Sequence, residues 1–195
     1  MSRDIVLQGV ILSYPHLFTP RVIQQGQDPK FSANFILPAN FDWSQVQAAV
    51  QEAINEKWGT NVPANLKMPW DTIPALDKNN QPNPHAGEYF LKSNCQADSR
   101  PQVVDQNVNP IIDQSQIFAG CIVNAYVQAY GYDKQVNKGV SLGLNAIQLV
   151  DNVNVTRMGG GGRDAAEVFQ AVPGAPAATA APAAPTPGAP PTPQV

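Results

Sequence analysis

The strongest constraint on this chain is a pair of alternating segments, Gly120–Tyr130 and Gly139–Val150, separated by polar and turn-forming residues. Period-two alternation of apolar and polar residues fits a strand and not a helix. Two such runs joined by Gly131–Lys138 read as a β-hairpin. On the first strand Cys121, Val123, Ala125, Val127 and Ala129 share one face, and Ile122, Asn124, Tyr126, Gln128 and Tyr130 share the other. On the second strand Val140, Leu142, Leu144 and Ala146 form the apolar set, with Ser141, Gly143 and Asn145 opposite. One side of the hairpin is therefore expected to be aliphatic core, and the other to carry tyrosines, amides and small residues.

The other elements are shorter. Asp4–Leu12 is rich in β-branched residues and reads as a first strand. Ser13–Arg21 holds two prolines and is expected to be a loop. Lys30–Leu37 alternates, with Phe31, Ala33, Phe35 and Leu37 on the buried face. Asp42 is a candidate N-cap for a helix over Trp43–Trp58, with Val46, Val50, Ala53 and Ile54 at helical spacing and Gly59 as the stop. Residues 60–86 carry five prolines and are expected to form a long irregular connection. Glu88–Asn94 and Gln102–Val104 are short strands. The fold class expected is mainly β: an OB-fold-like barrel over residues 1–158 with one α-helix inserted between strands. Residues 159–170, opening on four glycines, read as a hinge, and residues 171–195 as a disordered Pro/Ala-rich tail with nothing large and apolar to bury.

Several functions are disfavoured. No run of about 18 apolar residues is present, so no membrane span is expected. The N-terminus lacks the pattern of a signal peptide, which predicts a cytoplasmic protein. Cys95 and Cys121 fit reduced core thiols better than a disulfide or a zinc site. His16 and His85 have no metal-ligand spacing around them, and Asp98, Asp105 and Asp113 are spread over loops where they cap backbone amides. No enzyme activity, metal or cofactor is expected.

The tyrosine-bearing face carries a positive expectation. Bases stack on exposed rings whatever their sequence, at about 1–3 kcal/mol per base. Tyr126, Tyr130 and Tyr132 offer rings, Asn124 and Gln128 offer amides, and Lys134 and Lys138 in the connection reach toward phosphates. Tyr14 and Arg21, with Lys30 opening the next strand, form a second group, since the connection between the first two strands of an OB-fold is a binding loop. Aromatics with neighbouring cations suit single-stranded nucleic acid. The bland reading is that tyrosine simply decorates the solvent face of a sheet. A net charge of −3 argues against grasping a duplex, so the site must be a local basic stripe on an acidic protein.

Five stretches also carry a resemblance: Gly9–Phe18 (GVILSYPHLF), Lys30–Ala33 (KFSA), Gly87–Phe90 (GEYF), Pro101–Asp105 (PQVVD), and Phe118–Cys121 (FAGC) running through to Asn137–Asn145 (NKGVSLGLN). In this order, over most of residues 5–165, the chain resembles a phage single-stranded DNA-binding protein family with an OB-fold, formerly a domain of unknown function. The resemblance implies ssDNA binding in phage replication, recombination or repair, in the cytoplasm of the infected bacterial host. It does not assign binding residues. Phage replication proteins are the partners implied for the tail, and a homo-oligomer is compatible with the sequence. Phage and bacterial ssDNA-binding proteins often end in an acidic segment, whereas the last 25 residues here carry no charged side chain. The competing readings are a virion or protein-interaction module that uses the same barrel without DNA, and a small enzyme.

Overall fold

The computed structural model describes residues 3–158, except 23, 24, 27, 78, 79, 135 and 136. The expected hinge at 159–170 and tail at 171–195 lie outside the described residues. The strands are β1 (Asp4–Arg21), β2 (Lys30–Ile36), β3 (Trp70–Thr72), β4 (Tyr89–Gln96), β5 (Gln102–Val104), β6 (Ile122–Lys134) and β7 (Asn137–Asp151), with one helix, α1 (Ser44–Trp58). They pair in the order β3-β4-β2-β1-β6-β7-β5, and β4 also pairs with β7. That last pairing closes β1, β2, β4, β6 and β7 into a five-stranded barrel. Its seam is parallel and short: Ser93 lies opposite Leu142 and Asn94 opposite Gly143.

β1 can serve two neighbours because it is bent. Its first half pairs with β6 and its second with β2. Between Leu7 and Val10 it advances three residues while β6 advances two, a bulge that turns the strand. Gly9 sits there at φ 62°, a conformation that glycine adopts without penalty. Asn124 Oδ1 accepts the Gly9 N–H at 3.1 Å, so the amide released by the bulge is satisfied.

The expected loop at Ser13–Arg21 is instead the second half of β1. Its prolines mislead because Pro15 and Pro20 fall inside two register shifts, between Ser13 and His16 and between His16 and Arg21. At a bulge a proline deprives the ladder of no hydrogen bond. Leu17 is buried, and Arg100 lies 5.2 Å from the centre of the Phe18 ring.

The core is apolar, as the alternation predicts. Phe31, Ala33, Phe35 and Leu37 are buried, as are Cys121, Val123, Ala125, Val127 and Ala129. Each large side chain among them contributes about 1.5–3 kcal/mol. Ala146 departs from the expected set. Tyr126 pairs with Ala146 but Val127 with Leu144, so Asn145 is an extra residue and the phase of β7 flips. Ala146 turns outward and Ile147 and Leu149 turn in.

Helix α1 packs chiefly on β6 through Val46, Ala49, Val50, Ala53 and Ile54. It begins one residue later than expected: Trp43 occupies the capping position, while Asp42 Oδ1 accepts the Ser44 N–H at 2.9 Å. Gly59 ends it, as expected. Its last turn lies against Gly131, where an added Cβ would come within 2.7 Å of the Lys57 Cβ. The connection at 60–86 is mostly irregular, yet contains β3, which was not expected, and Lys67 bridges to Gly139. No helix among the described residues is long and apolar enough to cross a membrane.

Candidate nucleic-acid interface

The outer face of β6 presents Tyr126, Gln128, Tyr130, Tyr132 and Lys134 in one row. Their partners on β7 are Ala146, Gly143, Ser141, Gly139 and Asn137, so every ring faces an alanine, a serine or a glycine. The Tyr130 ring uses this space: a Cβ added at Gly143 would lie 3.7 Å from Tyr130 Cε1. Tyr126 is 39% exposed and Tyr130 36%. Tyr132 is more covered, and its phenol is pushed up by burial and by the neighbouring Tyr130.

Other residues in this group are partly engaged. Asn124 uses both ends of its amide, accepting from Gly9 and donating to Gln148 Oε1 at 3.1 Å. Gln128 Nε2 donates to Asp4 Oδ1 at 2.9 Å. Lys138 Nζ lies 3.1 Å from Asp133 Oδ2, and that ammonium holds the Asp133 carboxyl below the usual carboxylate range. Lys134 is exposed at the end of β6.

Across the seam the face continues. Asn94 on β4 lies beside Gly143 and donates to Ser141 Oγ at 3.5 Å. On the far side of β4 come residues of β2, with Ser32 opposite Asn94, Asn34 opposite Lys92 and Lys30 opposite Gln96, while Ile36, opposite Phe90, is buried. Lys92 lies 5.2 Å from the Phe90 ring centre and 3.1 Å from Asp71 Oδ2. Arg21 pairs with Lys30 at the end of the β1–β2 arm. Because β4 and β7 are parallel, this cationic end is opposite to the end of the β6–β7 hairpin carrying Lys134 and Lys138.

Tyr14 is set apart from the other tyrosines. It stands in the β1 bulge at φ 45°, is 58% exposed, and borders a groove of about 470 Å³ between β1, β2, β4, residues of 73–77 and Asn83. His16, Asn34, Ile36, Phe90 and Leu76 also border the groove. Burial and the Arg21 guanidinium hold the His16 imidazole below its usual range. The sequence reading missed Asn34, Phe90, Lys92 and Asn94. Tyr89 and Phe90 are adjacent aromatics, and only the β2 register shows that it is Phe90 that lies beside Ile36.

Comparison with known proteins identifies this arrangement. A family profile described as the ssDNA-binding protein of Enterobacter phage Enc34 matches residues 3–178. The chain belongs to this family. Protein p50 of Acyrthosiphon pisum secondary endosymbiont phage 1 is 31% identical over 160 residues, covering 74% of this chain and 81% of that protein. The Enc34-type fold also appears in solved structures. The single-stranded DNA-binding protein of bacteriophage Enc34 in complex with ssDNA aligns with a TM-score of 0.67 at 16% identity, covering 80% of this chain and 89% of that one. Gp2.5, a single-stranded DNA-binding protein of bacteriophage T7, aligns at 0.55 and 17% identity, covering 87% and 96%. At these identities the structures show a shared fold.

Proposed function

We propose that this Enc34-family chain binds single-stranded DNA without strong sequence preference, across the outer face that runs from the β6–β7 hairpin over the seam to β2 and β4. The observation that carries this is the unbroken row from Tyr130 through Ser141 and Asn94 to Ser32, with cations at both ends. In chain order β1, β2, β4, β6 and β7 stand as OB strands one to five. OB-folds bind oligonucleotides on the face of strands two and three and through the loops joining strands one to two and four to five. Here those are β2 and β4, the Arg21–Lys30 end, and the Lys134–Asn137 end.

Rings at Tyr126, Tyr130 and Tyr132 stack on bases, Gln128 and Asn94 offer polar contacts, and Arg21, Lys30, Lys134 and Lys138 follow the phosphates. The biological setting proposed is phage DNA replication, recombination or repair inside the host cell, with replication proteins as candidate partners of the segment after residue 170. The test is a fluorescence-anisotropy titration of the full chain with an oligo-dT, a duplex and an RNA of equal length. The reading expects the oligo-dT to bind tightest, with log K falling by about 0.7 per contacted phosphate for each decade of salt. No ssDNA binding at low salt overturns it in favour of a protein-interaction module.

A further inference from the structure

Three observations at the Tyr14 groove converge on a ligand. The first is the backbone at Tyr14. A non-glycine residue with positive φ is uncommon, and strained positions of this kind gather at functional sites. Ser13 pairs with Asn34 and His16 with Ser32, so β1 carries one extra residue there. A bulge re-aims a side chain, and here it sets the Tyr14 ring at the groove rim. The second is the lining. Phe90 and Leu76 supply apolar surface beside the buried Ile36, while Asn34 and His16 line the groove from neighbouring strands. The third is charge. No lysine or arginine among the described residues lines the groove, and Asp77 does.

A cavity of this size accommodates a small organic ligand. Asn34 and Asp77, whose Oδ1 also accepts the Gln81 N–H at 2.9 Å, give the described lining acceptors that suit the exocyclic amino group of a base. Asn and Asp are side chains that read such amino groups, on adenine and cytosine respectively. The groove also opens directly onto the β2–β4 face, since Asn34 and Phe90 belong to both.

Building on the ssDNA-binding reading above, we infer that this groove takes one unstacked nucleobase from the bound strand, with Tyr14 and Phe90 against its ring and Asn34 and Asp77 toward an amino-bearing edge. The backbone phosphates stay outside, on the cationic ends of the face. A long strand of mixed sequence slides until such a base enters, so the groove adds affinity while leaving overall sequence preference small.

The test compares oligo-dC with oligo-dU of equal length at about pH 8, because cytosine and uracil differ in their amino or carbonyl group at position 4. Anisotropy titrations use the full chain, Tyr14→Phe, Tyr14→Ala, Asn34→Leu and Asn34→Asp, with a thermal melt of each. The expected result is tighter binding of oligo-dC than of oligo-dU. Tyr14→Ala weakens both by roughly 5- to 150-fold, the range set by loss of one stacked base, and Tyr14→Phe retains most affinity. Asn34→Leu brings dC down to dU. Should Asn34→Leu melt early, Asn34→Asp, which retains the acceptor, keeps the preference for dC.

Equal binding of dC and dU by the unaltered chain, or a folded Tyr14→Ala with unchanged affinity, overturns the groove assignment while leaving ssDNA binding intact. Failure of the unaltered chain to bind either oligonucleotide overturns both readings together.

Discussion

Lys138 and Asp133 face each other near the end of the β6–β7 hairpin with 3.1 Å between ammonium and carboxylate. The cation proposed to meet a phosphate is therefore held by a competitor in the free protein. Asp133→Asn releases it, and ssDNA affinity at low salt should rise. Lys134→Ala removes a cation outright and should reduce the slope of log K against log salt by about 0.7. The Asp133 carboxyl is held low, so the pair is intact above its ordinary range near 4 and lost only as pH falls through the lowered value. Between about pH 6 and 8 these two effects should not change with pH. Titrations across a salt series at both ends of that window check this.

Tyr130 separates stacking from sheet decoration. Its ring lies over Gly143 on the outer face, away from the aliphatic core. Tyr130→Ala should weaken ssDNA binding by about 1–3 kcal/mol while leaving the melting temperature nearly unchanged. A lowered melting temperature with intact affinity per folded molecule would show that the ring supports the sheet alone. Tyr126→Ala, opposite Ala146, is measured the same way.

His16 provides a pH signature. Burial, then Arg21, lowers its folded-state pKa below the unfolded value of about 6.5. A group whose folded pKa is depressed contributes stability that is present above the unfolded pKa and lost as pH falls through the folded one. The melting temperature of the full chain should therefore decline between about pH 7.5 and 5.5. In His16→Gln that decline should shrink, as differential scanning fluorimetry over the same buffers would reveal.

Gly120 and Gly9 both have positive φ, but they differ in surroundings. At Gly120, φ 107°, an added Cβ would run into the Thr156 carbonyl oxygen, whereas at Gly9, φ 62°, nothing lies within 4 Å. Gly9→Ala should cost only backbone strain, about 1–2 kcal/mol. Gly120→Ala should cost more, about 2–4 kcal/mol, because it also displaces Thr156 and Met158, whose N–H donates to Ala119 O at 2.7 Å. Urea denaturation of the two variants ranks them.

Legibility in the sequence followed the range of the interactions. The hairpin faces were readable because alternation is local, and Val123, Val127 and Leu142 are buried as that pattern requires. The phase flip at Asn145 was not, because a bulge of one residue leaves no mark until its partner strand is known. The β4–β7 seam was invisible for the same reason: Ser93 and Leu142 are distant in sequence and pair in parallel. As a result Lys30 was singled out while Asn34, Phe90 and Asn94, on the same face, were not. Ser13–Arg21 shows the converse failure, in which proline is a local signal and the register overrules it. Tyr14 reads in the sequence as a loop aromatic and stands instead in a strand bulge.

The seam has one further consequence. Two residue pairs fasten β4 to β7, against thirteen between β6 and β7, and parallel pairing is the weaker kind. The barrel is thus a hoop with a short clasp, and the proposed path for the nucleic acid runs straight over that clasp at Asn94 and Ser141. A strand lying there grips both sides of the join, so opening the hoop and letting go of the strand become one event. Occupancy then stabilises closure by mass action. Amide exchange at Ser93 and Leu142 should slow on DNA binding more than at Val123 or Val127, where the hoop has no join to open.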